Sequence, residues 1–107
     1  MNSKKYELSI AAQVERDLRE TILYKSSLGT FQTNIDAFID HLFTGIEQLQ
    51  YYPLSGSALE NKTSVPTEIR YLVIEDYLVF YEFIDEIVSI YRILSAKQDY
   101  IKILGLE

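Results

Sequence analysis

Residues 68–95 limit most strongly what this chain can become. Ile, Val, Tyr, Phe and Leu dominate the stretch, and paired charges break it at two places, Glu75-Asp76 and Asp85-Glu86. β-branched and aromatic runs of 7 to 9 residues between such breaks predict three antiparallel strands, over 68–74, 77–84 and 87–95. Two-residue turns join them. Neither turn contains Gly, and Asp76 is the residue expected to take positive φ. A three-stranded meander this apolar cannot stand alone in water, so the rest of the chain has to supply its cover.

The upstream half supplies helices. Tyr6, Leu8 and Ile10 alternate with polar neighbours and predict a short edge or end strand, with Ser9 placed to cap the first helix. Ala11, Val14, Leu18 and Ile22 then fall on one stripe of that helix, which runs to about Leu28, with Gly29 at the left-handed position past its end. Thr30 or Thr33 is placed to cap a second helix, with Asp36 in capping-box position to Thr33. Its stripe is Ile35, Phe38, Leu42, Ile46 and Leu49, and Ile39 and Phe43 widen it. Gly45 costs that helix about 1 kcal/mol unless something packs closely against it. Pro53 ends the helix, Tyr51-Tyr52 cap it by packing, and 53–67 reads as loop. Lys97 to Leu106 reads as a loop and a short terminal helix.

The order is β-α-α-β-β-β with a small C-terminal helix. This predicts a single α+β domain over 1–107, an N-terminal strand and helical hairpin packed on an antiparallel sheet of three or four strands.

Composition removes several functions. There is no Cys, so disulfide frameworks, thiolate metal sites and thiol nucleophiles are excluded. A single histidine, His41, argues against multi-histidine metal centres and against a Ser-His-Asp triad. No metal or cofactor is expected. No apolar run reaches membrane-spanning length and no signal peptide precedes Tyr6, so the expected location is the cytoplasm, away from membranes. With 10 Lys and Arg against 16 Asp and Glu, the net charge of −6 offers no global attraction to nucleic acid.

Regular two-residue turns would set Arg70 opposite Tyr81 and Tyr81 opposite Ile90, with Leu72, Val79 and Arg92 in the next row. One sheet face would then carry Arg70, Tyr81 and Arg92 with Leu72, Ile74, Tyr77, Val88 and Leu94. The other would carry Ile69, Tyr71, Val73, Leu78, Phe80, Glu82, Ile84, Ser89, Tyr91 and Ile93. Both faces are largely apolar and the hairpin covers one. The second needs the terminal helix, a second copy or a partner chain, so a homodimer is among the expected assemblies.

The stretch from Arg70 through Tyr77, Tyr81, Asp85, Val88 and Arg92 to Asp99-Tyr100 resembles the C-terminal half of the RelE/ParE toxin superfamily. The shared pattern is an Arg opening one strand, a Tyr-x-x-x-Tyr strand, an acidic turn, an Arg-apolar-apolar strand and an Arg-Asp-Tyr-like tail. The Leu49 to Gly56 passage also resembles the family's helix-to-sheet connection. The resemblance implies the toxin of a type II toxin–antitoxin module (a plasmid stabilisation or addiction system), neutralised by a cognate antitoxin, with a heterotetramer of the two among the expected assemblies.

The match is closer to the ParE branch, associated with poisoning DNA gyrase, than to the RelE branch, which cleaves mRNA on the ribosome. RelE-type enzymes use basic residues and a late acid–base residue on the open sheet face. Here Leu78 and Gln98 stand at usually basic positions, Ile69 and Tyr71 at another basic pair, and Ser95-Ala96 where a His often precedes the tail. RNA cleavage needs cations for the phosphate and a group to move the 2′-hydroxyl proton. Lys97 and Tyr100 are the candidates left for that chemistry. Segment 68–86 holds one Arg against six acids, a charge of −5, which repels RNA.

The reading therefore leans to a non-enzymatic toxin that binds a protein. An mRNA endoribonuclease and a toxin-fold module without toxicity are the alternatives. The binding candidates are Arg70, Tyr81, Arg92, Lys97, Gln98, Asp99 and Tyr100. Each has a simpler role too: buried arginines are ordinarily paired, a core Tyr bonds its hydroxyl, and Asp99 can cap the terminal helix.

Overall fold

The computed structural model describes residues 4–107. Its elements are β1 (Glu7–Ile10), α1 (Ala12–Ser27), α2 (Gln32–Tyr51), β2 (Ser57–Ala58), a 3-10 turn (Leu59–Lys62), β3 (Arg70–Ile74), β4 (Tyr77–Ile84), β5 (Ile87–Ser95) and α3 (Tyr100–Ile103). The five strands form one sheet in the order β1-β5-β4-β3-β2. This is the expected α+β arrangement with two differences. The segment expected to be all loop contributes β2 beside β3, and β1 runs parallel to β5, so the sheet is mixed.

Local chemistry explains most of the element ends. Gly29 has φ +78° and sits past α1, where Gly29 N–H bonds Ser26 O and Thr30 N–H bonds Lys25 O, the paired bonds of a Schellman motif. The N-caps differ from expectation. Neither Ser9, Thr30 nor Thr33 caps a helix; Ala11 and Phe31 occupy those positions in extended conformation without a side-chain bond. Both turns in the meander also differ. Glu75 (φ 53°), not Asp76, takes positive φ in the first, and Asp85 (55°) and Glu86 (63°) both do so in the second. Positive φ at both central residues matches the right-handed twist of the flanking strands.

The register follows expectation from Arg70↔Tyr81 to Tyr81↔Ile90 and then shifts. Phe80 pairs with Arg92 and Tyr81 with Ile90, so Tyr91 is an extra residue, a β-bulge. Val79 therefore faces Ile93 instead of Arg92. The bulge corrects the facial assignment. Ile93 joins the core beneath the helices with Val14, Phe38, Leu42, Ile46, Val79, Tyr81, Val88 and Ile90, while Leu94 joins a second cluster on the far face.

The second face is covered in part by the chain itself. Leu59, Leu78, Phe80 and Leu94 lie there against Ile69, Tyr71, Tyr100, Ile101, Leu104 and Leu106. Of the three covers expected for this face, the terminal segment is the one seen. Tyr51 is only partly covered and Tyr52 is 67% exposed, so the pair does not cap α2 by packing; buried Pro53 comes next.

Gly45 is a point of close approach between α2 and β3. A Cβ there would lie 2.7 Å from Ile74 Cδ1 and 3.0 Å from Leu72 Cδ2. Alanine needs only these side-chain tips to yield, whereas a branched side chain pushes the helix off the sheet. Gly45→Val is expected to lower stability by about 2 kcal/mol in urea unfolding; an unchanged midpoint would show that helix and sheet separate freely here.

Candidate interaction surface

β1 pairs with only the first half of β5, residues 87–90, and the Ala11 N–H bond to Ile90 O closes that ladder. Among the described residues, no strand lies beside the edge of β5 beyond Ile90; α1 lies there instead. Asp17, 3% exposed, is aimed at that edge. Its Oδ2 accepts from the backbone N–H of Ile93 at 2.9 Å and from Arg92 Nε at 2.9 Å, and its Oδ1 accepts from Arg92 Nη2 at 2.9 Å. Gln13 Nε2 adds a further bond to Oδ1. The fork-on-carboxylate geometry fixes the Arg92 plane, and the hydrogen bond to Asp17 holds the guanidinium pKa above its ordinary value. The next free edge donor, Ser95 N–H, is taken by Gln98 Oε1 at 2.7 Å.

Between this edge and α1 lies a cleft of about 540 Å³. Thr21, Tyr24 and Lys25 line it from the helix side, and Arg92, Lys97 and Gln98 from the strand side. Lys25 Nζ rests 4.5 Å from the centre of the Phe38 ring and 5.1 Å from that of Tyr77, so its charge is held at a defined place. Burial pushes the Tyr77 hydroxyl pKa up, an effect that the neighbouring polar Thr21 side chain partly offsets. Leu28 and Phe31, 65% and 77% exposed, stand at the tip of the helical hairpin.

Arg70 and Tyr81 lie at a different place, under the passage from α2 to β2. The Tyr81 hydroxyl donates to Pro53 O at 2.8 Å and accepts from Gly56 N–H at 3.0 Å. Arg70 Nη2 donates to Gly56 O at 2.8 Å and Leu54 O at 3.2 Å. No side chain fits at Gly56, where a Cβ would meet the Tyr81 hydroxyl at 2.5 Å and the Tyr71 carbonyl at 2.7 Å. Arg70 Nε is buried without a partner.

The tail residues separate. Lys97 and Gln98 line the cleft, Asp99 Oδ1 accepts from Lys102 N–H as the cap of α3, and the Tyr100 ring lies 5.5 Å from that of Phe80 on the far face. Of the seven residues singled out from sequence, Arg92, Lys97 and Gln98 meet at one cleft, while Arg70 with Tyr81 and Tyr100 occupy two other places. Sequence reasoning passed over Asp17, although a carboxylate three residues after Val14 and four before Thr21, on the buried stripe of α1, was a readable signal. Lys25 carried no comparable mark, and Gly56 was marked only as the end of the passage from Leu49.

A second, smaller groove of about 150 Å³ opens between α1 and α2. Val14, Leu18, Leu42 and Ile46 form its walls, beside half-exposed Ile10 and Phe43. The helix α2 bears three acids, Asp36, Asp40 and Glu47, and no Lys or Arg.

Over residues 8–100 the sequence matches the family described as ParE toxin of type II toxin-antitoxin system, parDE. The chain belongs to the ParE toxin family. The fold agrees. A solved structure titled "Chromosomal ParDE TA system from P. aeruginosa" superposes with a TM-score of 0.68, covering 87% of this chain and 98% of that one at 18% identity. None of the curated proteins matches the sequence. Among the described residues of this ParE-family chain, no helix is long and apolar enough to cross a membrane.

Three substitutions test whether Arg92 and Tyr81 are held as described. Asp17→Ala, which strands Arg92 and the Ile93 N–H, is expected to cost about 3 kcal/mol in chemical unfolding, with Asp17→Asn milder. Tyr81→Phe should cost about 1–3 kcal/mol by leaving the Pro53 carbonyl and Gly56 N–H unbonded. Losses below about 0.5 kcal/mol would mean that water replaces these bonds. The buried tyrosines give a pH signature. Burial raises the Tyr77 and Tyr91 pKa above their ordinary 10.0, so the native state holds these protons more tightly than the unfolded chain. Their contribution to stability is complete below about pH 10 and fades as pH rises through the folded values. Ultraviolet titration of single Tyr→Phe variants should find these two among the last tyrosines to ionise.

Proposed function

We propose that this ParE-family chain is a toxin that acts by binding a protein target, such as DNA gyrase, and not by cutting RNA. The observation that carries this reading is the engagement of its sheet cations. Arg92 is clamped by Asp17 and Arg70 is spent on the Leu54 and Gly56 carbonyls. Lys97 and Tyr100, the remaining candidates for nuclease chemistry, lie at the cleft and on the far face respectively. Phosphoryl cleavage needs cations and an acid–base group converging on one phosphate. The cleft, with Lys25 and Lys97 beside Glu20 and Asp76, fits a mixed polar and apolar protein surface better than a polyanion.

A cognate antitoxin completes the system, and the α1–α2 groove suits it. An amphipathic helix could seat one large apolar side chain between Ile10 and Phe43, with basic residues facing the acids of α2. The expected setting of both partners is the cytoplasm.

Induced expression of this chain in bacteria is expected to arrest growth, and co-expression of the neighbouring gene to relieve it. Purified protein should inhibit gyrase supercoiling and leave ribosome-bound mRNA intact; cleaved message would move the assignment to the ribonuclease class. Absence of arrest from soluble, folded protein would leave the non-toxic module. Phe43→Asp should weaken antitoxin binding by about tenfold or more at unchanged melting temperature.

A further inference from the structure

The two faces of the sheet are covered by different means. Over the first, long helices are tied into the fold by backbone as well as side chains. Tyr6 N–H bonds Gln50 O, Gln50 Nε2 returns to Tyr6 O, and Asp17 holds the edge of β5. Over the second, the covering segment is short and attaches differently. The last backbone bond it donates outside β5 and itself is Ala96 N–H to Asp76 O. Beyond it, among the described residues, each backbone–backbone bond donated by the segment ends within the segment or on Ser95. Gln98 N–H reaches Ser95 O, Tyr100 N–H reaches Gln98 O, and Ile103 N–H and Leu104 N–H reach Asp99 O and Tyr100 O.

The segment is also closed on itself at both ends. Asp99 caps its start, and its end is a second Schellman motif, with Gly105 at φ +72°, Gly105 N–H on Lys102 O and Leu106 N–H on Ile101 O. A four-residue helix has little stability of its own. Its position is therefore set by side chains: Tyr100, Ile101, Leu104 and Leu106 lie on Leu78, Phe80 and Leu94. The sheet residues are at most 5% exposed, but each covering residue remains partly exposed. One polar pin joins the two. Lys62 Nζ lies 5.3 Å from the Tyr71 ring centre, and the polar interaction with the Tyr71 hydroxyl, with a smaller one from that of Tyr100, raises its pKa above the ordinary value.

We propose that residues 97–107 form a reversible strap, which lifts as a unit while the five-stranded sheet and the helical hairpin stay folded. The hinge is Lys97-Gln98-Asp99, directly after the Ala96 anchor. Lifting breaks no backbone bond of the sheet. It uncovers an apolar platform of Tyr71, Leu78, Phe80 and Leu94, which the strap itself reoccupies on closing. This inference does not depend on the toxin's target; it concerns a second conformation of the chain.

The test uses the full-length protein and trypsin, with Lys97 and Lys102 reporting on the strap and Arg16 and Arg19 on α1. Local opening exposes little surface, so strap cleavage should hardly respond to low urea, whereas cleavage in α1 should rise steeply. Strap cuts should lead α1 cuts by at least about tenfold. Tyr100→Ala should speed strap cleavage by about tenfold and raise binding of a hydrophobic dye, with the circular-dichroism melt still a single transition. Lys62→Ala, which removes only the polar pin, should speed it by about threefold, and keeps the test open if Tyr100→Ala does not fold. Cuts in strap and α1 that appear together with the same urea dependence would overturn the proposal. So would faster strap cleavage without dye binding, since the segment would then fray without uncovering the platform.

Discussion

The carboxylate of Asp17 meets a need created by the sheet itself. β5 has nine residues and β1 only four, so half of the β5 edge is left without a neighbouring strand. An exposed row of backbone donors invites pairing with other chains, and burying it unpaired under a helix would cost about 1–3 kcal/mol per group. Asp17 resolves both problems by accepting from Ile93 N–H, and Arg92 from the same edge balances its charge. The clamp ties α1 to this edge, and Asp17 and Arg92 both line the cleft between the helix and the strand. That Asp17 and Arg92 are 75 positions apart makes the clamp a tertiary tie, formed only when the first helix and the last strand are both in place.

The bulge at Tyr91 shows where sequence periodicity stops being enough. Alternation predicts the three meander strands nearly to the residue, because each face of a sheet recurs every second position and the turns are only two residues long. Periodicity has no term for a single added residue, so it puts Ile93 and Leu94 on each other's faces. The caps fail for another reason. Thr30 and Thr33 have suitable chemistry, but the Schellman turn at Gly29 fixes how the chain enters α2 and puts Phe31 at the cap.

The candidate site was legible unevenly. Arg70, Tyr81 and Arg92 stand out as polar residues in apolar strands, and the structure gives each a specific internal partner. Their carbonyl and carboxylate partners, at Pro53, Leu54, Gly56 and Asp17, lie far away along the chain, and no local pattern announces such pairings. The family resemblance reaches further than local physics here. It draws on the joint spacing of Arg70, Tyr77, Tyr81 and Arg92, which composition and periodicity treat one at a time.

The parallel pairing of β1 with β5 has a consequence during synthesis. Glu7 finds its strand partner at Ile87, so β1 waits for β5, some 80 residues later. Until about residue 95 has emerged, β1 has no neighbour, Asp17 has no Arg92, and the hydrophobic side of α1 has no complete surface to rest on. A chain interrupted anywhere in the meander therefore yields a fragment that cannot close its core. The fold itself delays the mature surface until β5 has been translated.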